Sequence, residues 1–229
     1  MEIPASKRIV AEAVGTALLL ATVVGSGIMG ERLAAGNVAV ALLANTLATG
    51  AALVALILTF GPISGAHFNP AVTLADAAQG GIGWRLVPGY VLAQILGAFA
   101  GVAAAHVMFG EPLYVFSTHA RSGSAQMFSE FVATFGLLAT IWGCVRSRPT
   151  MVPFAVGAYI TAAYWFTAST SFANPAVTLA RALTNTFSGI RPDDVVGFIV
   201  AQLIGAAAAT VLFRWLAPAP AASGSDNKS

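Results

Sequence analysis

Charge is what this chain lacks. Of its 229 residues, 11 are Lys or Arg and 9 are Asp or Glu, 9% in all. A soluble domain carries about 25%. That shortage leaves too little polar surface to coat a soluble fold. With 57% hydrophobic residues and a mean hydropathy of +0.80, the solvent around most of the chain must be lipid. Cysteine is nearly absent too. Cys144 stands alone, which excludes an internal disulfide framework and a Cys-based zinc site. His106 and His119 are too isolated to argue a metal site, so no metal or cofactor is expected. The pI near 9.0 does not point to nucleic acid, because the basic residues lie singly or in pairs between apolar segments. No cleavable signal peptide is expected either. The first apolar run, Ile9 to Met29, is long enough to span a bilayer and lacks a clear cleavage site.

What the chain does contain is a repeat. Asn-Pro-Ala-Val-Thr-Leu-Ala occurs at Asn69 to Ala75 and again at Asn174 to Ala180. The correspondence extends outward. Glu12 precedes the first copy and Glu130 the second. Ala-Gln-x-x-Gly-Ala follows each, at Ala93 to Ala98 and at Ala201 to Ala206.

Six long apolar segments are read at about 8–29, 38–60, 85–108, 127–145, 151–168 and 194–216. Two shorter ones, about 69–79 and 174–184, start at the repeated Asn. At about 1.5 Å per residue each covers only half a hydrocarbon core. The expected architecture is all-α: six transmembrane helices plus two re-entrant half-helices. The channel domain is set at 1–218, with halves at about 8–108 and 127–216. The tail 219–229 is expected to be disordered from its Pro, Ala, Ser and Gly content. Three spans per half is an odd number, so the second half must be inverted relative to the first, as in membrane channels and transporters. If the spans alternate, Lys7, Arg8, Arg85, Arg146, Arg148, Arg214 and Lys228 share one side. Arg32, Arg121, Arg181 and Arg191 share the other. The positive-inside rule then puts both termini in the cytoplasm.

A half-helix that starts in mid-membrane exposes unpaired backbone N–H groups, each costing several kcal/mol in hydrocarbon if left unsatisfied. Asn is a strong N-cap residue and Pro is favoured at the first helical position. Asn69-Pro70 and Asn174-Pro175 fit both preferences. A capping Asn uses its carbonyl oxygen and leaves amide N–H donors over. Two such donors at the midplane, with two helix dipoles behind them, favour neutral hydrogen-bonding solutes and oppose cations.

At this point the chain resembles a known family, the major intrinsic proteins, that is, aquaporins and aquaglyceroporins. The resemblance covers about 8 to 216. It is carried by Ser64-Gly65-Ala66-His67-Phe68-Asn69-Pro70-Ala71-Val72-Thr73 and by Phe172-Ala173-Asn174-Pro175-Ala176. It implies a pore in each subunit, a homotetramer in the cell inner (plasma) membrane, and small neutral solutes as its partners. The pore motifs would be Asn69, Pro70, Ala71 and Asn174, Pro175, Ala176. Most members carry Arg directly after the second motif; here the residue is Val177. A gapless count places the other filter positions at Thr49, Ala162 and Ser171. Those four side chains are small or medium and uncharged. The implied filter is wide, and it resembles that of bacterial channels associated with arsenic resistance. Glycerol, urea, water and undissociated arsenite or other metalloid acids are the implied solutes.

Further residues follow, His67, the glutamates and the glutamines from the same resemblance, Arg181 and Asp76 from their shared place seven residues after each Asn. His67 would line the pore as a constitutive donor. Glu12 and Glu130, as a symmetric pair, would hold the re-entrant backbones, and Gln94 and Gln202 would brace them. Arg181 would lie toward the outer mouth, either restoring positive field lost at Val177 or merely favouring the helix dipole. Asp76, unfavourable at a helix end, calls for a basic partner, for which Arg85 is the candidate. Two other classes compete. An inverted-repeat secondary transporter needs a coupling site, and none emerges. An enzyme needs a nucleophile–base or metal-ligand cluster, and the polar segments hold none. Asn69→Asp removes an amide donor and adds a negative charge at the midplane. It is expected to impair conduction or ion exclusion in reconstituted vesicles; unchanged solute flux and unchanged exclusion would remove that side chain from the pore.

Overall fold

The computed structural model describes residues 3–216, so the expected tail at 219–229 lies outside the described residues. All described regular structure is helical. Five helices are long and apolar enough to cross a membrane: α1 (Ala5–Leu33), α2 (Val38–Ser64), α4 (Val87–Phe109), α5 (Ser124–Ser147) and α8 (Pro192–Leu216). Between them lie the short helices α3 (Pro70–Ala78) and α7 (Pro175–Arg181) and the helix α6 (Val152–Phe166). The sixth expected span is thus realised as a helix of 15 residues, extended at its start by a one-turn 3-10 helix, Pro149–Met151. It is short because the chain leaves it after Phe166 to dive back toward Asn174. The second half-helix also ends earlier than the apolar run suggests. After Arg181 the chain turns, and its carbonyls are taken by loop donors: Ile190 N–H to Arg181 O and Ser117 N–H to Ala182 O.

The two halves pack alike. Within the first, α1 lies along α4; within the second, α5 lies along α8, and α2 and α6 meet across the divide. The repeated Ala-Gln-x-x-Gly-Ala explains the closeness of the first two pairs. A Cβ added at Gly97 would overlap the Ala13 carbonyl oxygen of α1, and one at Gly205 would overlap the Phe131 carbonyl of α5. Small residues are the means by which membrane helices bring backbones together. Gly15 differs: the space above it is filled by the Phe68 ring, so it seats the first re-entrant loop rather than a helix.

The starts of α1 and α4 and the ends of α3 and α8 lie on one side, called here the terminal side. Ile9 approaches Gly89 there, and Arg214 donates to Ala78 O and Gln79 Oε1. On the far side Arg32 joins Phe109 O and Glu111, the latter at 2.7 Å. Arg191 pairs with Asp194 at the start of α8.

Gly97→Ala should destabilise the fold by about 1–3 kcal/mol, since overpacking a tight crossing forces backbones apart. Gly61, which has open space around it, is the control: Gly61→Ala should be neutral or slightly stabilising. Melting in detergent checks both. Equal melting temperatures for the two variants would contradict the close α1–α4 crossing.

Candidate functional site: a cavity between two half-helix starts

The half-helices begin at the repeated Asn, as the capping chemistry requires. Asn69 Oδ1 accepts from Ala71 N–H (2.9 Å). Asn174 Oδ1 accepts from Ala176 and Val177 N–H (3.0 and 3.3 Å). Pro70 and Pro175 occupy the first turn. The two starts then lock to each other. Asn69 Nδ2 donates to Ala173 O (2.7 Å), and Asn174 Nδ2 donates to Phe68 O (2.8 Å). Each amide carries two N–H donors. One is therefore committed to the opposite loop and one is left for the cavity that both residues line.

The loops that reach these starts are bent in the same way. Ala66 and Phe68 have φ of 50° and 49°; Ser171 and Ala173 have 52° and 47°. These are the third and first residues before each Asn. A positive φ costs a non-glycine residue of order 1–3 kcal/mol and persists only where the surroundings fix it. Buried carboxylates do the fixing. Glu12 accepts from Ser64 Oγ, His67 N–H, Phe68 N–H and Gln94 Nε2 at 2.7, 3.0, 2.7 and 2.8 Å. Glu130 accepts from Phe172 N–H, Ala173 N–H and Gln202 Nε2 at 2.8, 2.8 and 2.6 Å. Gln94 and Gln202 pass the chain of bonds on to Thr73 and Thr178, each at 2.9 Å. Those threonines donate back to Asn69 O and Asn174 O. With their oxygens occupied in this way, both carboxylates are used in holding loop backbone.

A single cavity of about 530 Å³ passes these groups. Its lining runs from Ile3, Arg8, Asp76 and Gly81 on the terminal side, past His67, Asn69 and Asn174, to Thr49, Tyr164, Val177 and Arg181 on the far side. Ala71 and Ala176 lie fully buried behind it. His67 Nδ1 sits 3.1 Å from Thr73 Oγ1, and its Nε2 lies 3.6 Å from Asp76 Oδ2. The partner expected for Asp76 was Arg85; the structure gives His67 instead. Asp76 sits on the cavity side of α3, where the histidine of the same loop reaches it.

Ala162 does not line the cavity. It is exposed on the opposite face of α6, while Val152, Val156, Ile160 and Tyr164 face inward. Those four recur every fourth residue, one stripe of a helix. A count carried back from Val177 crosses the loop 167–174, whose length no helix fixes, and so lands off the stripe. Tyr164 takes the inward position near the far mouth, its hydroxyl 3.3 Å from Thr49 Oγ1. Thr49, Ser171 and Val177 line the cavity as expected positions, and Ser171 Oγ has no protein partner among the described residues.

Two far-side arginines are buried. Arg181 is 2% exposed. Its guanidinium lies over the Phe172 ring at 3.4 Å, and its Nε donates to Ser188 O. Arg121, which sequence reasoning placed only as a loop charge, lies 5.0 Å from the centroid of the same ring. It donates to Gly189 O (2.8 Å) and Ser169 O (3.1 Å). Burial pushes the Arg121 guanidinium down to about 10, which leaves it protonated at neutral pH. Its backbone N–H goes to Asp194 Oδ2. Burial, then the charges of Arg121 and Arg181, also lower the neighbouring His119.

The chain matches the family described as Major intrinsic protein over residues 1–171 and 146–228. It is 58% identical over 215 residues to aquaglyceroporin AqpS of Rhizobium meliloti (strain 1021), covering 94% of this chain and 92% of that one. It is 33% identical to aquaporin NIP1-1 of Zea mays, over 90% of this chain and 74% of the other. The solved structure of the aquaglyceroporin from Plasmodium falciparum superposes with a TM-score of 0.72 at 21% identity, over 93% and 95% of the two chains. Two capped half-helices meeting inside a bundle of apolar helices, together with these relationships, place the chain in the major intrinsic protein family, as a multi-pass membrane channel protein and not an enzyme.

Proposed function

We propose that the chain is a passive pore for small neutral solutes: glycerol, urea, undissociated arsenite and other metalloid acids, and water. The observation that carries the reading is the single cavity running between the two capping asparagines from one side of the helix bundle to the other. Midway along it, the polar groups that line it include the two asparagine amides. Asn69 and Asn174 each keep an N–H. Near the far mouth, Thr49, Tyr164 and Ser171 line the cavity together with the apolar Val177. A hydroxyl both donates and accepts, which suits a neutral polyol or an undissociated oxyacid. The similarity to proteins named aquaglyceroporins supports the same solute class.

The filter so proposed consists of Thr49, Tyr164, Ser171 and Val177. It lacks the guanidinium that resembling channels carry at the last position. The mouth is bounded on one side by a phenol and elsewhere by short side chains. Glu12 and Glu130 support the re-entrant loops, and His67 lines the path. The terminal side carries most of the exposed basic residues, so we place it in the cytoplasm by the positive-inside rule, in the inner membrane. The assembly we propose is a homotetramer with one pore per chain.

Flux into proteoliposomes tests the reading with water, glycerol, urea and arsenite in parallel. Val177→Arg should cut glycerol and urea flux by about tenfold or more and water flux much less, because a long charged side chain narrows the mouth. Equal losses for all solutes would remove position 177 from the filter. Tyr164→Ala should widen the same stage and raise the flux of polyols larger than glycerol several-fold, whereas Ala162→Leu on the outward face should leave every flux unchanged. A response to Ala162→Leu with none to Tyr164→Ala would reverse the assignment.

A further inference from the structure

Arg181 stands one helical turn beyond Val177, four residues on and so on the same face of α7. It lines the cavity although it is almost wholly buried. Its side chain's only hydrogen bond to protein among the described residues runs from Nε to Ser188 O. A guanidinium has five N–H donors, and neither terminal nitrogen finds a protein acceptor. Arg181 lines the cavity, which is the direction left to those nitrogens. The flat of the group rests on Phe172, whose ring is in turn held edge-on by Phe198 at 5.2 Å. Among the described residues no carboxylate pairs with Arg181. The buried carboxylates of Glu130 and Asp194 are engaged elsewhere: Glu130 with loop N–H groups, and Asp194 with Arg191 and the Arg121 backbone. Arg121 adds a second positive charge beside the same ring.

We infer that Arg181, seated on Phe172, is the cation barrier of the far mouth, displaced by one turn from the position that Val177 occupies. The displacement separates two properties that one arginine would otherwise combine. A guanidinium at 177 would both narrow the filter and repel cations. At 181 it repels cations from one helical turn farther along the path and leaves the stage at Thr49, Tyr164, Ser171 and Val177 free for bulkier neutral solutes. An uncompensated positive charge in a low-dielectric wall raises the barrier to cations steeply, while neutral solutes are little affected. The alternative, a charge that only favours the end of the α7 dipole, predicts no change in ion permeability when it is removed. The inference rests on the channel reading above.

The test uses the full chain in vesicles and planar bilayers, with glycerol flux, potassium conductance and proton entry measured on the same preparations. Arg181→Leu should keep glycerol flux within about twofold and raise the cation leak about tenfold or more. Arg181→Lys should stay tight. Because Arg181 is buried, the double variant Val177→Arg with Arg181→Leu guards against a folding artefact: it should restore cation exclusion while losing glycerol flux. A cation-tight Arg181→Leu that still conducts glycerol overturns the barrier role. So does a leak that the double variant fails to close. Absence of glycerol flux in the unaltered protein would instead strike the channel reading. A leak appearing on Arg181→Leu would even then identify the barrier, and its absence would remove both.

Discussion

A helix cannot begin in the middle of a membrane unless something answers its first N–H groups. Here that constraint arises twice, and each answer depends on the other. Asn69 and Asn174 use their oxygens to cap their own helices. Each then donates to the carbonyl of the residue before its counterpart. Removing either amide would orphan a buried carbonyl in the opposite loop as well as a helix start in its own. The cost of an unmet polar group in such a place is about 1–3 kcal/mol even in proteins with some water access, so the two halves are obliged to meet in one register.

The remaining bonds follow from the need to bring the chain to that meeting point. Backbone returning through an apolar bundle carries N–H groups that lipid cannot satisfy. Glu12 and Glu130 take them. A buried carboxylate is expensive by itself, and what makes it tolerable is a full set of donors. Gln94 and Gln202 complete the set and tie it to the threonines of the half-helices. The loops are thereby fixed in left-handed conformations at Ala66, Phe68, Ser171 and Ala173, none of them glycine. The amide donors that face the cavity are thereby held at fixed positions.

Much of this was legible in the sequence, for identifiable reasons. Asn-Pro at the start of a short apolar run is a local signal, and its repetition made the symmetry visible. The glutamates and glutamines stood out because polar residues in apolar spans need a partner. What stayed hidden depended on long-range placement. The gapless count that named Ala162 failed across a loop, although the inward stripe of Val152, Val156, Ile160 and Tyr164 was present in the spacing of α6. The pairing of Asp76 with His67 rather than Arg85 required knowing that the loop folds back onto its own half-helix. Arg121 gave no local sign at all: a single basic residue in a polar connection reads as a solvated charge, and only the tertiary fold buries it against Phe172.

The identity of the two repeats bears most directly on how charge is distributed along the path. Val72 and Val177 leave both half-helices with an apolar residue after the motif, so neither first turn carries a cation. The difference between the halves appears one turn later, where the first has Asp76 and the second Arg181. At the terminal side the acid is met by His67. At the far side the base has no acid partner among the described residues, only an aromatic face and a carbonyl. The path is therefore electrically polarised even though its two half-helices share a sequence. A pairing of Arg181 with a carboxylate would cancel that polarity and leave a structural ion pair. Its seat on Phe172, with Arg121 alongside, keeps the positive charge directed at whatever enters, and so lets a channel without an arginine at position 177 still distinguish a neutral solute from a cation.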